Sequence, residues 1–233
     1  MSVENQRRKE LAAAFRWAAR LNMHEAVANH FSMAISDDGQ KFIVNRAGTH
    51  FSQATASGLV AVDTSLQGDS LDYGVDPTAW VLHSYLHRNV PHAKCVLHTH
   101  MPFSTALTLT SRRALDTTLS QNAMRFHGRV AVDAQYNGLA LSHAEGERIA
   151  HAMNGADIAF LGNHGVVVCG PSIAYAYDDL YYLERACMVE VLAARSGAPL
   201  VPVNPALVDQ VAKQLEGERM QADLFFEALR RTV

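Results

Sequence analysis

Two periods run through this chain. Apolar residues that recur every three or four positions predict helix, and those that alternate predict strand. Over residues 5–21, Leu11, Ala14, Phe15, Ala18 and Leu21 share one helical face. Residues 30–35 and 41–45 alternate as strands, with Asp37-Asp38-Gly39 as the turn between them. Arg46-Ala47-Gly48-Thr49 reads as a loop, 57–63 as a short helix then a strand, and 67–76 as a polar loop or hairpin. Asp76 caps a helix that Pro77 opens and Pro91 ends, with Trp80, His83, Ser84 and His87 on one side. A strand follows at 94–99, then a helix opened by Pro102, and a strand at 130–132. Ser142, with Glu145 three residues on, is a capping box that begins another helix. The apolar runs 158–161 and 166–169 flank Gly162-Asn163-His164-Gly165. Ser172 caps a long helix to about 195, closed by Gly197 and Pro199, and the tail from Pro205 is helical by pattern. Strands interleaved with helices predict an α/β layered fold.

Composition narrows the function classes. The 233 residues contain no Pro/Gly/Ser-rich linker, which predicts one domain over 1–233. A net charge of −3, with basic residues scattered in pairs, excludes a broad nucleic-acid footprint. No apolar signal core or membrane-length segment is present, so a cytoplasmic chain with no membrane partner is expected. Cys95, Cys169 and Cys187 lie among apolar residues and read as buried, reduced thiols. No GxGxxG or Walker A pattern supports nucleotide binding.

Candidate chemistry begins at His98-Thr99-His100. On a strand, residues two apart face the same way, so the two imidazoles aim at one point while Cys95, Leu97 and Thr99 face away. Two convergent neutral imidazoles are half of a transition-metal site. His164, in a glycine-flanked turn between two apolar strands, is the candidate third ligand. Three histidines leave a coordination position open, as in catalytic rather than structural sites. They favour one divalent ion per subunit, Zn²⁺ or Mn²⁺, with Fe²⁺ and Co²⁺ also compatible. His83 and His87 form an i, i+4 pair without the glutamate of an HExxH helix, and His83 is expected to face the pocket.

These residues fall into ordered segments: 28–32 (Ala-Asn-His-Phe-Ser), 44–51 (Val-Asn-Arg-Ala-Gly-Thr-His-Phe), 95–100, 162–165 and 184–187 (Glu-Arg-Ala-Cys). Over nearly its whole length the chain resembles the class II aldolase/adducin family. The resemblance implies a three-layer α/β/α sandwich with a central, mostly antiparallel sheet. It implies a divalent metal on His98, His100 and His164, and a homotetramer with interfacial active sites. The tail from about 205 would then reach a neighbour's pocket, with Phe225-Phe226 as a lid; a helix packed on its own core is the alternative. Two departures stand out. Sugar-phosphate aldolases of the family carry a Ser-Ser-Glu-Trp-like segment where this chain has Pro77-Thr78-Ala79-Trp80, so Ala79 stands in the place of the acid/base glutamate and Pro77 in that of a phosphate-binding serine. Asn29 and Gly48 remain where the family binds phosphate.

A metal that holds enolate-like charge serves both aldol cleavage and decarboxylation. Aldol addition needs a base for a C–H proton, whereas decarboxylation makes the carbanion by losing CO₂. Without the glutamate, the expectation is a metal-dependent lyase that decarboxylates a hydroxylated aromatic or heteroaromatic carboxylate. An aldolase is the runner-up; a non-haem iron oxygenase and a non-catalytic adducin-like module are lesser alternatives. His83, Tyr136 or a metal-held water would protonate the carbanion. Asn29, His30, Gly48 and Thr78 would contact the substrate, with Arg46, Arg112, Arg113 or Arg125 as the carboxylate anchor.

Overall fold

The structure is a computed structural model that describes residues 2–66 and 68–232. Met1, Val233 and Gln67, the first residue of the expected 67–76 loop, lie outside the described residues. The chain opens with α1 (Val3–Arg20), β1 (His30–Ala34), β2 (Lys41–Val44) and β3 (Val60–Asp63). Then come α2 (Ser70–Tyr73), α3 (Pro77–Asn89), β4 (Cys95–Thr99), α4 (Pro102–Thr108), α5 (Gln121–Met124) and β5 (Val130–Asp133). The last part holds α6 (His143–Ala152), β6 (Ile158–Leu161), β7 (Gly165–Gly170), α7 (Ile173–Ala194), α8 (Pro205–Gly217) and α9 (Gln221–Arg230).

The strands form one sheet in the order β3-β2-β1-β4-β7-β6-β5. Every pairing is antiparallel except β5 with β6. Alternation along β4 sorts its side chains. Cys95 and Leu97 face α1, α4 and α7 across the larger core, while Val96 faces α3 and α6. The result is the expected α/β/α sandwich, and β4 lies at the centre of its sheet. The three cysteines are buried and free, as their apolar neighbours predict.

Local differences from the sequence reading have local causes. No helix forms over 57–59, because the Thr55 hydroxyl and carbonyl take the Gly58 N–H in a tight turn. A single turn of helix, α2, sits inside the expected loop, fixed by reciprocal capping between Asp69 and Asp72. The Ser142 box is half made: Ser142 accepts from the Glu145 N–H, but the Glu145 carboxylate turns to Arg148. The tail's last helix packs on its own subunit. Phe226 and Leu229 are buried against α7 and α1, and Trp17 Nε1 donates to the Leu229 carbonyl at 2.9 Å. Phe226 therefore belongs to the core rather than to a lid over a neighbour.

Candidate metal centre

β4 ends at Thr99, so His98 lies within the strand and His100 one step beyond it. The Asn29 side-chain carbonyl, which accepts from the His100 N–H at 3.4 Å and the Glu25 N–H at 2.7 Å, holds this exit. Downstream, Glu184 on α7 accepts from the Phe103 and Ser104 N–H groups and so fixes the start of α4. His164 arrives by register. β4 pairs with β7, placing Thr99 opposite Val166, so the β6–β7 turn lies beside the strand end. The approach is close: a Cβ on Gly165 would meet the Thr99 carbonyl oxygen at 2.5 Å, so only glycine fits. Asn163 takes the left-handed turn conformation at φ 59°, and Arg113 Nη1 donates to its side-chain oxygen at 2.7 Å.

One ligand atom from each of His98, His100 and His164 lies within 4.8 Å of the others. Hydrogen bonding settles two of the tautomers. His98 Nδ1 donates to the Val166 carbonyl at 3.0 Å, and His100 Nδ1 donates to the Glu25 carboxylate at 2.8 Å. Both Nε2 atoms then carry lone pairs, yet they sit 3.2 Å apart. Two acceptors that close are not a hydrogen bond; they are the arrangement a shared cation stabilises, with outer acceptors fixing each ring. Burial, followed by the neighbouring histidines, pushes His98 well below the usual imidazole range and His164 down to about 4, so both stay neutral, the form that can bind a metal. The donor set fits a divalent metal.

A small cavity of about 200 Å³ opens beside the three imidazoles. Its polar side is His30, Thr78 and Asp76; its other wall is Leu82, Leu139, Ala140, Ile149 and Leu161. His30 pairs in register with His98, and their rings stack at 5.2 Å. Thr78 Oγ1 lies 3.2 Å from His30 Nε2. Asp76 is committed to the α3 N-terminus, accepting from the Thr78 hydroxyl at 2.6 Å and N–H at 2.8 Å. Burial alone would raise its pKa, but these bonds and His30 outweigh that and hold it below the usual carboxylate range.

Other expected site residues lie elsewhere. His83 is fully buried behind His30 and does not line the cavity; it reaches the site only through His30. Ala79 points into the apolar cluster of Phe42, Val44, Val62 and Val75, because the helical turn after Thr78 rotates position 79 away from the cavity. The carboxylate that lines the cavity at this helix start is Asp76, three residues earlier. Arg46 and Gly48 border a separate hollow lined by residues of 45–59. Arg125 stacks over Tyr182 at 3.8 Å and pairs with Asp178, so it is spent on α7. Arg112 pairs with Asp116, and Arg113 holds the 163 turn. Tyr136 is 54% exposed, its ring 6.4 Å from that of His164 at the cavity edge. Asn29 keeps its Nδ2 donor buried and without a protein partner. Sequence reading missed Glu25, Ser32 and the aliphatic wall. Ser32, two residues after His30 on a strand, carried a face signal; Glu25 carried none.

No helix among the described residues is long and apolar enough to cross a membrane. The comparisons agree with the geometry. The model of the class II aldolase and adducin N-terminal domain matches residues 9–191. A Pseudomonas aeruginosa protein named for the class 2 aldolases is 33% identical over 205 residues, covering 87% of this chain and 77% of that one. A 4-hydroxy-3-prenylphenylpyruvate oxygenase/4-hydroxy-3-prenylbenzoate synthase of Streptomyces roseochromogenus is 30% identical over 202 residues, covering 84% and 71%. The crystal structure of an aldolase II superfamily protein from Pseudomonas syringae superposes with a TM-score of 0.87 at 31% identity, over 99% of this chain and 93% of that one. With this sheet, this histidine triad and these relatives, the chain belongs to the class II aldolase/adducin family.

Proposed function

We propose that the chain is a divalent-metal-dependent carbon–carbon lyase that decarboxylates a hydroxylated aromatic or heteroaromatic carboxylate. One Zn²⁺ or Mn²⁺ per subunit would be held by His98, His100 and His164. The observation that carries the reading is the cavity wall: Leu82, Leu139, Ala140, Ile149 and Leu161 face the histidines, and the one lining carboxylate among the described residues, Asp76, is engaged as a helix cap. A planar ring packs on such a wall, whereas a sugar's hydroxyls would be left unpaired there at about 1–3 kcal/mol each. At about 200 Å³ the cavity is smaller than drug-sized pockets, which suits a single ring.

A divalent cation held by His98, His100 and His164 would supply Lewis-acid stabilisation of a developing oxyanion. No arginine or lysine lines the cavity among the described residues, so a substrate carboxylate against Leu82, Ile149 and Leu161 lacks a counter-ion. Such a setting favours its loss as CO₂. His30, at the polar side, takes the proton of the substrate hydroxyl. His30 returns that proton to the ring carbon that bears the carboxylate, giving the keto form; the carbon–carbon bond then breaks, CO₂ leaves, and the bond's electron pair passes through the ring to the oxygen as the phenolate. The phenolate product takes its last proton from solvent. A relative named for a hydroxylated phenylpyruvate and a hydroxylated benzoate, both aromatic acids, supports an aromatic acid as the ligand. The proposal includes a homotetramer, with the exposed Tyr136, Leu139 and Leu141 near the cavity mouth as surface for a neighbour to cover.

The test is a panel of hydroxylated aromatic and heteroaromatic carboxylates, set beside hydroxy-carbonyl and sugar-phosphate substrates. Metal-loaded protein should release CO₂ from at least one of the acids. Aldehyde release without CO₂ from any of them makes the protein an aldolase.

A further inference from the structure

The polar side chains between β1 and α3 form one unbroken file running away from the metal centre. It ends at the carbonyl of Ala93, which can only accept. His87 Nδ1 lies 2.7 Å from that oxygen and therefore carries a proton. His87 is buried and neutral, so its Nε2 has only a lone pair, and Ser32 Oγ donates to it at 2.7 Å. Ser32 has no second proton. It must accept from His83 Nδ1, which is in hydrogen-bond contact with the same oxygen. His83, buried and uncharged, then accepts at Nε2 from His30 Nδ1 at 3.3 Å. His30, buried and uncharged like its neighbours, is left with a bare Nε2. Thr78 Oγ1 is 3.2 Å from that nitrogen, but its proton goes to the Asp76 carboxylate at 2.6 Å, so the two atoms face each other as acceptors at the cavity, a contact that an incoming proton donor would relieve.

We propose that Ser32, His83 and His87 are positioning residues: a one-way hydrogen-bond file, anchored on Ala93, that holds His30 as its Nδ1-protonated tautomer with the Nε2 lone pair open to the cavity. The consequence is ligand selection. His30 accepts from a protic group and repels an acceptor, so the ligand must present a hydroxyl, not an ether or carbonyl oxygen, on that side of the metal. The role given to this lone pair rests on the lyase reading; the tautomers themselves do not.

Long-range ¹H–¹⁵N correlation spectra of protein labelled with ¹⁵N-histidine and loaded with Zn²⁺ read each tautomer directly. In the wild-type protein His30, His83 and His87 should each show a protonated Nδ1 and a bare Nε2. A protonated Nε2 on His30 or His83, in either the neutral or the charged ring, overturns the proposal without any variant. In Ser32→Ala, His83 loses its acceptor. His83 and His30 should move to the Nε2-protonated or a mixed form while bound zinc stays at one per subunit. A variant that melts earlier but keeps the wild-type tautomers shows a merely structural serine and overturns the file. Where Ser32→Ala does not fold, the wild-type spectrum decides. Wild-type tautomers as expected with no CO₂ from any acid remove the lyase reading alone; CO₂ release with His30 in the other tautomer removes the file alone.

Discussion

Replacing Ala79 with glutamate separates the linear motif from the folded site. By motif alignment the change restores an aldolase acid/base. In the structure it drives a carboxyl into an apolar cluster. Ala79 is 1% exposed, and its neighbours Phe42, Val44, Val62 and Val75 are at most 2% exposed. A glutamate buried in such surroundings titrates near 8–9 against about 4.3 when unfolded. At pH 7 the folded chain must therefore keep the carboxyl neutral, at about 1.36 kcal/mol for each pH unit above 4.3, or roughly 4 kcal/mol. Overpacking a filled site adds about 1–3 kcal/mol. The total, about 5–7 kcal/mol, is comparable with the whole stability of a typical domain. The sign follows from linkage: a carboxyl whose pKa is raised on folding costs stability only above its unfolded pKa. Between pH 7 and 5.5 the penalty relative to wild type should therefore shrink by about 2 kcal/mol. Urea unfolding of wild-type and Ala79→Glu protein at both pH values measures it. A variant as stable as wild type, or one that cleaves an aldol, would put position 79 in the cavity and refute the reasoning.

Other outcomes follow from the same contacts. His98→Ala and His164→Ala should each lower bound metal from one ion per subunit to a small fraction, measured by elemental analysis after dialysis, with activity lost in step. Glu25→Gln removes the anionic partner of His100; because the Glu25 side chain is 63% exposed, metal affinity should fall by only about tenfold, the lower end for such outer partners, in a chelator competition. Asp179 is fully buried between Arg129, at 2.5 Å, and Arg219, at 3.0 Å, so Asp179→Ala should cost about 3–5 kcal/mol in urea unfolding without changing metal content.

The candidate site was legible where the signal was local. His98-x-His100 was readable because strand alternation is a property of the backbone, and His164 because glycines on both sides of a histidine mark a tight turn. That this turn meets the strand end was not readable, since it depends on β4 pairing with β7 across more than sixty residues. Reading His83 as the cavity histidine failed for a related reason. Helical spacing puts His83 and His87 on the buried face of α3, but only the β1–β4 register shows that His30 stands between them and His98. Arg125 looked available as an anchor because nothing near it in sequence announces Asp178 or Tyr182 on α7.

The amino-acid order alone determined the periods, the caps and the pair of imidazoles on one strand face, because each depends on residues a few positions apart and on fixed backbone geometry. Tertiary packing determined the rest. It chose the outer acceptors that turn two Nε2 lone pairs toward one point, the rotation that hides Ala79, and the histidine that faces the cavity. Those outcomes depend on which distant backbone carbonyl or carboxylate lies within about 3 Å, a distance that spacing along the chain does not encode.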